Sequence, residues 1–159
     1  NHICYLDQNA TFLKQDLTVL ENFTQLNPQI TENDSRLILA QFLFSGDSVL
    51  KTARCLSGGE MTRLHLAKVF MHNADFIILD EPTNNLDTTA KTMLYQTIEN
   101  WRDGLLIVSH DRSLLQLMDQ ILELTTLGLN TYGGNYDHYL EQKAIHQQAL
   151  QNRHENASH

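Results

Sequence analysis

The sequence predicts an α/β protein, with a core of parallel strands separated by helices and joined to a smaller helical region. Three observations lead there. Strand-like and helix-like segments alternate through the second half of the chain, as they do when crossover helices connect the strands of a parallel sheet. The strand-like segments Phe76-Ile77-Ile78-Leu79 and Leu105 to Val108 are continuously apolar, as expected of strands covered on both faces. The first roughly 55 residues are mostly helical in pattern.

In order along the chain, Ile3 to Leu6 reads as a short strand. Leu17 to Leu26 reads as a helix capped by Asp16 and broken by Asn27-Pro28. Glu32 to Phe44 is a second helix, with Leu37, Ile38, Ala40, Gln41 and Phe44 near helical spacing, and Ser45-Gly46-Asp47 is a turn. Ser57 to His72 is a strong helix with Met61, Leu64, Ala67 and Met71 along one side. Phe76 to Leu79 is a buried strand, Leu86 to Trp101 a helix, and Leu105 to Val108 another buried strand. Asp111 to Met118 is a helix, Ile121 to Leu124 a strand, and Leu129 to Tyr132 a short strand before Gly133-Gly134. From Tyr136 the chain is polar, Gln-rich and helical in pattern, fraying toward Ser158.

The length, 159 residues, suits one domain with a real core. Nineteen acidic residues against eleven basic ones give a formal charge of −8. That balance argues against gripping nucleic acid, which needs clustered Lys and Arg, unless a basic segment lies elsewhere in a longer parent. Cys4 and Cys55 form no C-x-x-C pair, so neither a disulfide framework nor a zinc site is expected, and a reducing, cytoplasmic setting is the default. The apolar runs are too short to cross a bilayer. The chain enters a strand directly from Asn1 with no initiator Met, which reads as part of a longer protein. His2, His65, His72, His138, His146, His154 and His159 share no ligand spacing with carboxylates or cysteines and read as surface residues. Trp101 reads as core, and Tyr132, Tyr136 and Tyr139 as packing the last helix onto the sheet.

Three short motifs carry candidate chemistry. In Leu56-Ser57-Gly58-Gly59-Glu60, Ser57 can cap the helix and Glu60 can reach back to form a capping box. The two glycines also let a group approach the first backbone N–H groups, which with the helix dipole make an anion site. Asp80-Glu81-Pro82 follows a buried parallel strand, at the end where open α/β sheets bind ligands. There Asp80 would hold Mg²⁺ and Glu81 would orient an attacking water, the alternative being a polar loop at a strand end. Ser109-His110-Asp111 follows the next strand, either as a helix start or with His110 donating to a γ-phosphate. Three consecutive residues cannot face one another as a hydrolase triad must.

In combination and order, these motifs resemble the nucleotide-binding domain of ATP-binding-cassette (ABC) ATPases. LSGGE at 56–60, FIILDEPTNNLD at 76–87 and IVSHD at 107–111 are similar to that family's signature, Walker B with D-loop, and H-switch. Within the family, DEPTNNLD, SHDRSLL and YGGNYDHYLEQK at 132–143 resemble the ABC-F branch, whose members carry two such domains and no membrane part. Asn85 departs from the His common in that branch.

The resemblance implies an incomplete P-loop NTPase core, with a helical subdomain at about 9–56, a signature, Walker B and H-switch core at about 57–137, and a C-terminal helix at about 138–159. It implies ATP and Mg²⁺ as cofactors. It makes Glu81 and His110 catalytic, Asp80 and Gln8 metal-linked, and Gln8, Ser57, Gly58, Gly59, Glu60 and Asp87 nucleotide-binding. A Walker A motif requires G-x-x-x-x-G-K-[ST], and none of the seven glycines is followed by Lys. The resemblance places that cradle upstream of Gln8. Cassette domains pair head to tail, so a second ABC domain is the expected partner, with the ribosome as a partner of the parent protein. The chain alone is expected to be inactive, and poorly stable or self-associated through an uncovered strand edge. A transporter's ATPase subunit and a non-catalytic interaction module are the alternatives.

Overall fold

The computed structural model describes residues 2–6 and 13–158. The chain divides into two compact units, Asn1–Ser109 and His110–His159.

The first unit is built on a parallel sheet. Strand β1 (Ile3–Leu6) pairs with β2 (Phe76–Asp80), and β2 with β3 (Gly104–Val108), in the order β1-β2-β3. The register sets Leu6 beside Leu79, and Asp80 beside Val108. Ile77 and Leu79, on one face of the central strand, are fully buried, whereas Phe76 and Ile78 on the other face are exposed and half-buried, and in β3 Leu106 and Val108 are exposed, so the strands predicted as covered on both faces are only partly covered. Parallel neighbours need long crossovers. Between β1 and β2 the chain inserts α1 (Val19–Thr24), α2 (Glu32–Gln41) and α3 (Gly58–Met71), and between β2 and β3 it inserts α4 (Thr88–Asn100).

The helices are shorter than the sequence periodicity predicts, and their caps explain where they start. Thr18, not Asp16, caps α1, its hydroxyl accepting from the Glu21 N–H at 3.1 Å. Asp16 pairs instead with Arg54. Buried Asn22 ties the entry to α1, donating to the carbonyls of Lys14, Leu17 and Thr18 and accepting from the Lys14 N–H. Helix α2 stops at Gln41 because Leu43 turns left-handed, with φ 68°. Arg63 of α3 then donates to the carbonyls of Phe42 and Leu43 at 3.2 and 2.8 Å and lies over the Phe44 ring. Phe23, Leu39, Phe44, Val49, Leu64 and Leu66 form the core of this helical layer. Trp101 is half-buried and meets Phe70 edge-on at 5.3 Å.

The second unit has its own sheet. Helix α5 (Arg112–Leu115) leads into β4 (Gln120–Thr125) and β5 (Gly128–Gly133), which pair antiparallel. The sequence predicts Ile121 to Leu124 and Leu129 to Tyr132 as strands without fixing their partners; the structure pairs them as a hairpin. The short connection allows only an antiparallel return, with Gly128 at φ 130° in the turn. Helix α6 (Tyr136–Ala157) is clamped to the hairpin by tyrosines, as expected. The rings of Tyr132 and Tyr139 meet edge-on at 4.9 Å. Glu123 accepts from the Tyr139 hydroxyl at 2.7 Å, from Tyr132 at 3.4 Å and from Lys143.

The hydrogen bond from Lys143, then that from Tyr139, holds the Glu123 carboxyl below the usual carboxylate range. A carboxylate depressed in the folded state adds stability above its unfolded pKa and loses it as pH falls through the folded value. The docking of α6 should therefore persist through mildly acidic pH and loosen only below the ordinary carboxylate range. Tyr139 ring resonances followed by NMR should report this, and Lys143→Met should move the transition to higher pH.

Candidate functional site

Helix α3 opens on the predicted capping box. Ser57 Oγ accepts from the Glu60 N–H at 3.2 Å, and Glu60 Oε1 accepts from the Ser57 N–H at 3.2 Å. Glu60 Oε2 meets Lys51 at 3.1 Å. Burial raises the Glu60 carboxyl, but the hydrogen bonds from Ser57 and Lys51 outweigh it and hold the group below its ordinary value. Both carboxylate oxygens are thus committed. The Gly58 and Gly59 N–H groups, in the first turn, have no acceptor within the helix by geometry. Ser57 and Gly58 are exposed.

Facing this end of α3 is the loop after β2. Asp80 ends the strand half-buried, and its Oδ2 accepts from the Tyr5 hydroxyl at 3.3 Å. Glu81 is left-handed, with φ 47°, and its N–H donates to the Val108 carbonyl at 2.7 Å. A non-glycine residue held in this region costs about 1–3 kcal/mol, which the surrounding structure must supply. Pro82 and Thr83 are buried behind it. Asn85 is left-handed as well, with φ 66°, a conformation Asn tolerates better than most residues. It sets the Asn85 carbonyl against Gly59, where a Cβ would lie 2.7 Å from that oxygen. A Cβ on Gly58 would meet Asn85 only at 4.0 Å. The loop ends at Asp87, whose Oδ1 caps α4 by accepting from the Ala90 N–H at 2.8 Å.

These elements enclose a cavity of about 140 Å³, lined among others by Gly58, Thr62, His65, Asp80, Glu81 and Asn85. The structure thus brings Gly58, Asp80 and Glu81 to one place, with Ser57, Gly59 and Glu60 adjoining in the same turn. Gln8 lies outside the described residues. His110 is exposed and opens the second unit, where Asp111 caps α5 by accepting from the Ser113 and Leu114 N–H groups.

The sequence predicts His65 on the surface; the structure buries it, at 6% exposed. Helix α3 is buried around most of its circumference, since Leu64, His65, Leu66, Ala67 and Lys68 are consecutive buried residues. The spacing 61, 64, 65, 68 would have marked His65 as inward-facing.

A parallel sheet with the acidic pair at the end of its central strand, beside a glycine-flanked helix N-terminus, is the layout of a nucleotide-binding cassette. The family model for ABC transporters matches residues 1–84. The chain belongs to the ABC transporter family. It is 42% identical over 140 residues to the putative ATP-binding protein YdiF of Bacillus subtilis, covering 87% of this chain and 22% of that protein. It is 36% identical over 143 residues to the probable ATP-binding protein YbiT of Escherichia coli O157:H7, covering 89% and 27%. ABC transporter F family member 5 of Arabidopsis thaliana is 34% identical over 139 residues, covering 86% and 20%. The chain therefore spans between 20% and 27% of the length of these relatives. Among solved structures, the ATP-binding cassette MJ0796, a dimer in a post-hydrolysis state bound to ADP and Pi, superposes with a TM-score of 0.66 at 21% identity. That match covers 77% of this chain and 58% of that one, and establishes the cassette fold. No helix among the described residues is long and apolar enough to cross a membrane.

Proposed function

We propose that this chain supplies the signature, Walker B and switch-histidine parts of an F-type ABC ATPase, whose paired cassette domains close on ATP and act on the ribosome in the cytoplasm. The observation that carries this reading is the placement of Asp80 and Glu81 at the end of the central parallel strand, beside the glycine-flanked start of α3. The F-family relatives favour this branch over a transporter's ATPase subunit.

The residues fit the expected groups. Among the described residues no cluster of three or more His, Cys, Asp or Glu could cage a metal ion. A single strand-end carboxylate instead suits Mg²⁺, which is held by one or two carboxylates and the nucleotide's phosphates. Asp80 would hold it together with Gln8, and bound with ATP it neutralises phosphate charge. Glu81, its backbone fixed in the loop, orients the attacking water. His110 donates toward the γ-phosphate. Ser57 and the N–H groups of Gly58 and Gly59 meet the phosphates of a nucleotide held by the partner domain. Glu60 secures that turn through its capping box, and Asp87 fixes the loop end that faces the partner.

Phosphoryl transfer rests on positioning and charge neutralisation, and the chain has no Gly-Lys pair to build a phosphate cradle. The pure 159-residue chain is therefore expected to show no steady ATP turnover in a phosphate-release assay, whereas the ATPase that carries it does. Turnover by the chain alone that is indifferent to Glu81→Gln would contradict this reading.

A further inference from the structure

Asp80 is the carboxylate assigned to the cation above, and the register of the sheet decides which side chains surround it. Residues two apart on a strand share a face, and partners across a parallel pair point the same way. Tyr5 stands beside Ile78, and Asp80 beside Val108. Tyr5, Ile78, Asp80 and Val108 therefore share one face of the sheet. Tyr5 is on the diagonal from Asp80, a separation that an aromatic side chain can cross. Of these three neighbours only Tyr5 carries a side-chain hydrogen to donate. Its hydroxyl does so, to Asp80 Oδ2 at 3.3 Å.

Asp80 is the last residue of β2, and its carboxylate turns about two side-chain bonds. A hydrogen bond to one carboxylate oxygen restrains both rotations and leaves the other oxygen out of that bond. Groups that hold a metal ligand in this way orient it, and they weigh on metal affinity nearly as much as the ligand does. The distance is longer than the usual hydroxyl bond of about 2.7–2.8 Å, and bonds of this kind often tighten only when the substrate is bound. We infer that Tyr5 is a positioning residue for the cation: its hydroxyl, donated to Asp80 Oδ2, holds the carboxylate so that Oδ1 is the oxygen presented to Mg²⁺. The inference rests on the reading of Asp80 as the carboxylate that holds the metal.

The test has two arms. In the ATPase that carries this chain, Tyr5→Phe keeps the ring and removes one oxygen. A non-hydrolysable ATP analogue is bound with the protein in excess, Mn²⁺ is added as the probe, and free Mn²⁺ is read by electron paramagnetic resonance. Tyr5→Phe should hold Mn²⁺ about tenfold more weakly, the lower end of the effect of losing a group that orients a metal ligand. Its affinity for the analogue in EDTA should be unchanged, because the hydroxyl acts through the metal ligand alone. Unaltered Mn²⁺ binding would overturn the proposal. So would an equal weakening of metal-free analogue binding, which would reflect damage to the sheet rather than a misdirected carboxylate. In the 159-residue chain, the Asp80 side-chain carboxyl ¹³C resonance, assigned by its loss in Asp80→Asn, should shift in Tyr5→Phe; an unmoved resonance would also overturn the proposal. The Asp80→Asn ATPase separates the two levels. If it holds Mn²⁺ as tightly as the unmutated protein, the reading of Asp80 as the metal carboxylate has failed. If it loses Mn²⁺ while Tyr5→Phe holds it normally, only the role of Tyr5 has failed.

Discussion

Replacing Glu81 with Gln in the ATPase that carries this chain should nearly abolish hydrolysis while leaving ATP binding intact. Gln preserves shape and can sit in the same loop, whose left-handed turn at Glu81 and bond to Val108 involve only backbone. On the proposed reading, what is lost is the negative charge that would polarise and align the attacking water. Removing a positioned acid–base group typically costs about 10²–10⁴ in rate, so kcat should fall at least a hundredfold. Single-turnover and nucleotide-binding measurements check this together. Loss of binding and turnover in parallel would assign Glu81 to holding the loop rather than to the chemistry.

The second large effect separates the two signature glycines. A Cβ on Gly59 would sit 2.7 Å from the Asn85 carbonyl oxygen. That obstacle is backbone, fixed at one end by Glu81 and at the other by the Asp87 cap. Gly59→Ala must push the 81–87 loop away from α3. Overpacking of this kind costs about 1–3 kcal/mol, a fall in melting temperature of roughly 2–10 °C for a domain of this size. Gly58 is exposed, and a Cβ there makes only ordinary contact. Gly58→Leu should therefore melt close to the unmutated protein while obstructing the phosphate approach and losing ATP-driven pairing. Calorimetry with light scattering in the presence of ATP distinguishes the two. Normal pairing by Gly58→Leu would reduce the 57–60 turn to a helix cap.

The two glycines illustrate what the sequence could and could not reveal. The capping box was legible because Ser57 and Glu60 are three residues apart and their bonds are local. The strands β2 and β3 were legible from their unbroken apolar runs, but their burial was not: β2 buries Ile77 and Leu79 on one face, and β3, read as covered on both faces, leaves Leu106 and Val108 exposed. The contact between Gly59 and Asn85 was not legible, since it joins residues 26 apart through a backbone turn that only a left-handed Asn85 produces. His65 was misread as surface for a related reason. Its helix is buried on nearly all sides, so a polar residue there is no sign of exposure. The strands of the hairpin β4–β5 were legible, but not their pairing with each other, because strand pattern does not encode pairing partner. Helix ends moved inward wherever an outside residue, Thr18 or Asp87, took the cap.

The most direct test of the account is a structure of the Glu81→Gln ATPase with ATP and Mg²⁺. The account predicts that the γ-phosphate of each nucleotide lies against Ser57 and the Gly58 and Gly59 N–H groups of one cassette, with Asp80 of the opposite cassette on the metal side. A nucleotide whose phosphates contact neither the start of α3 nor the end of β2 would contradict it.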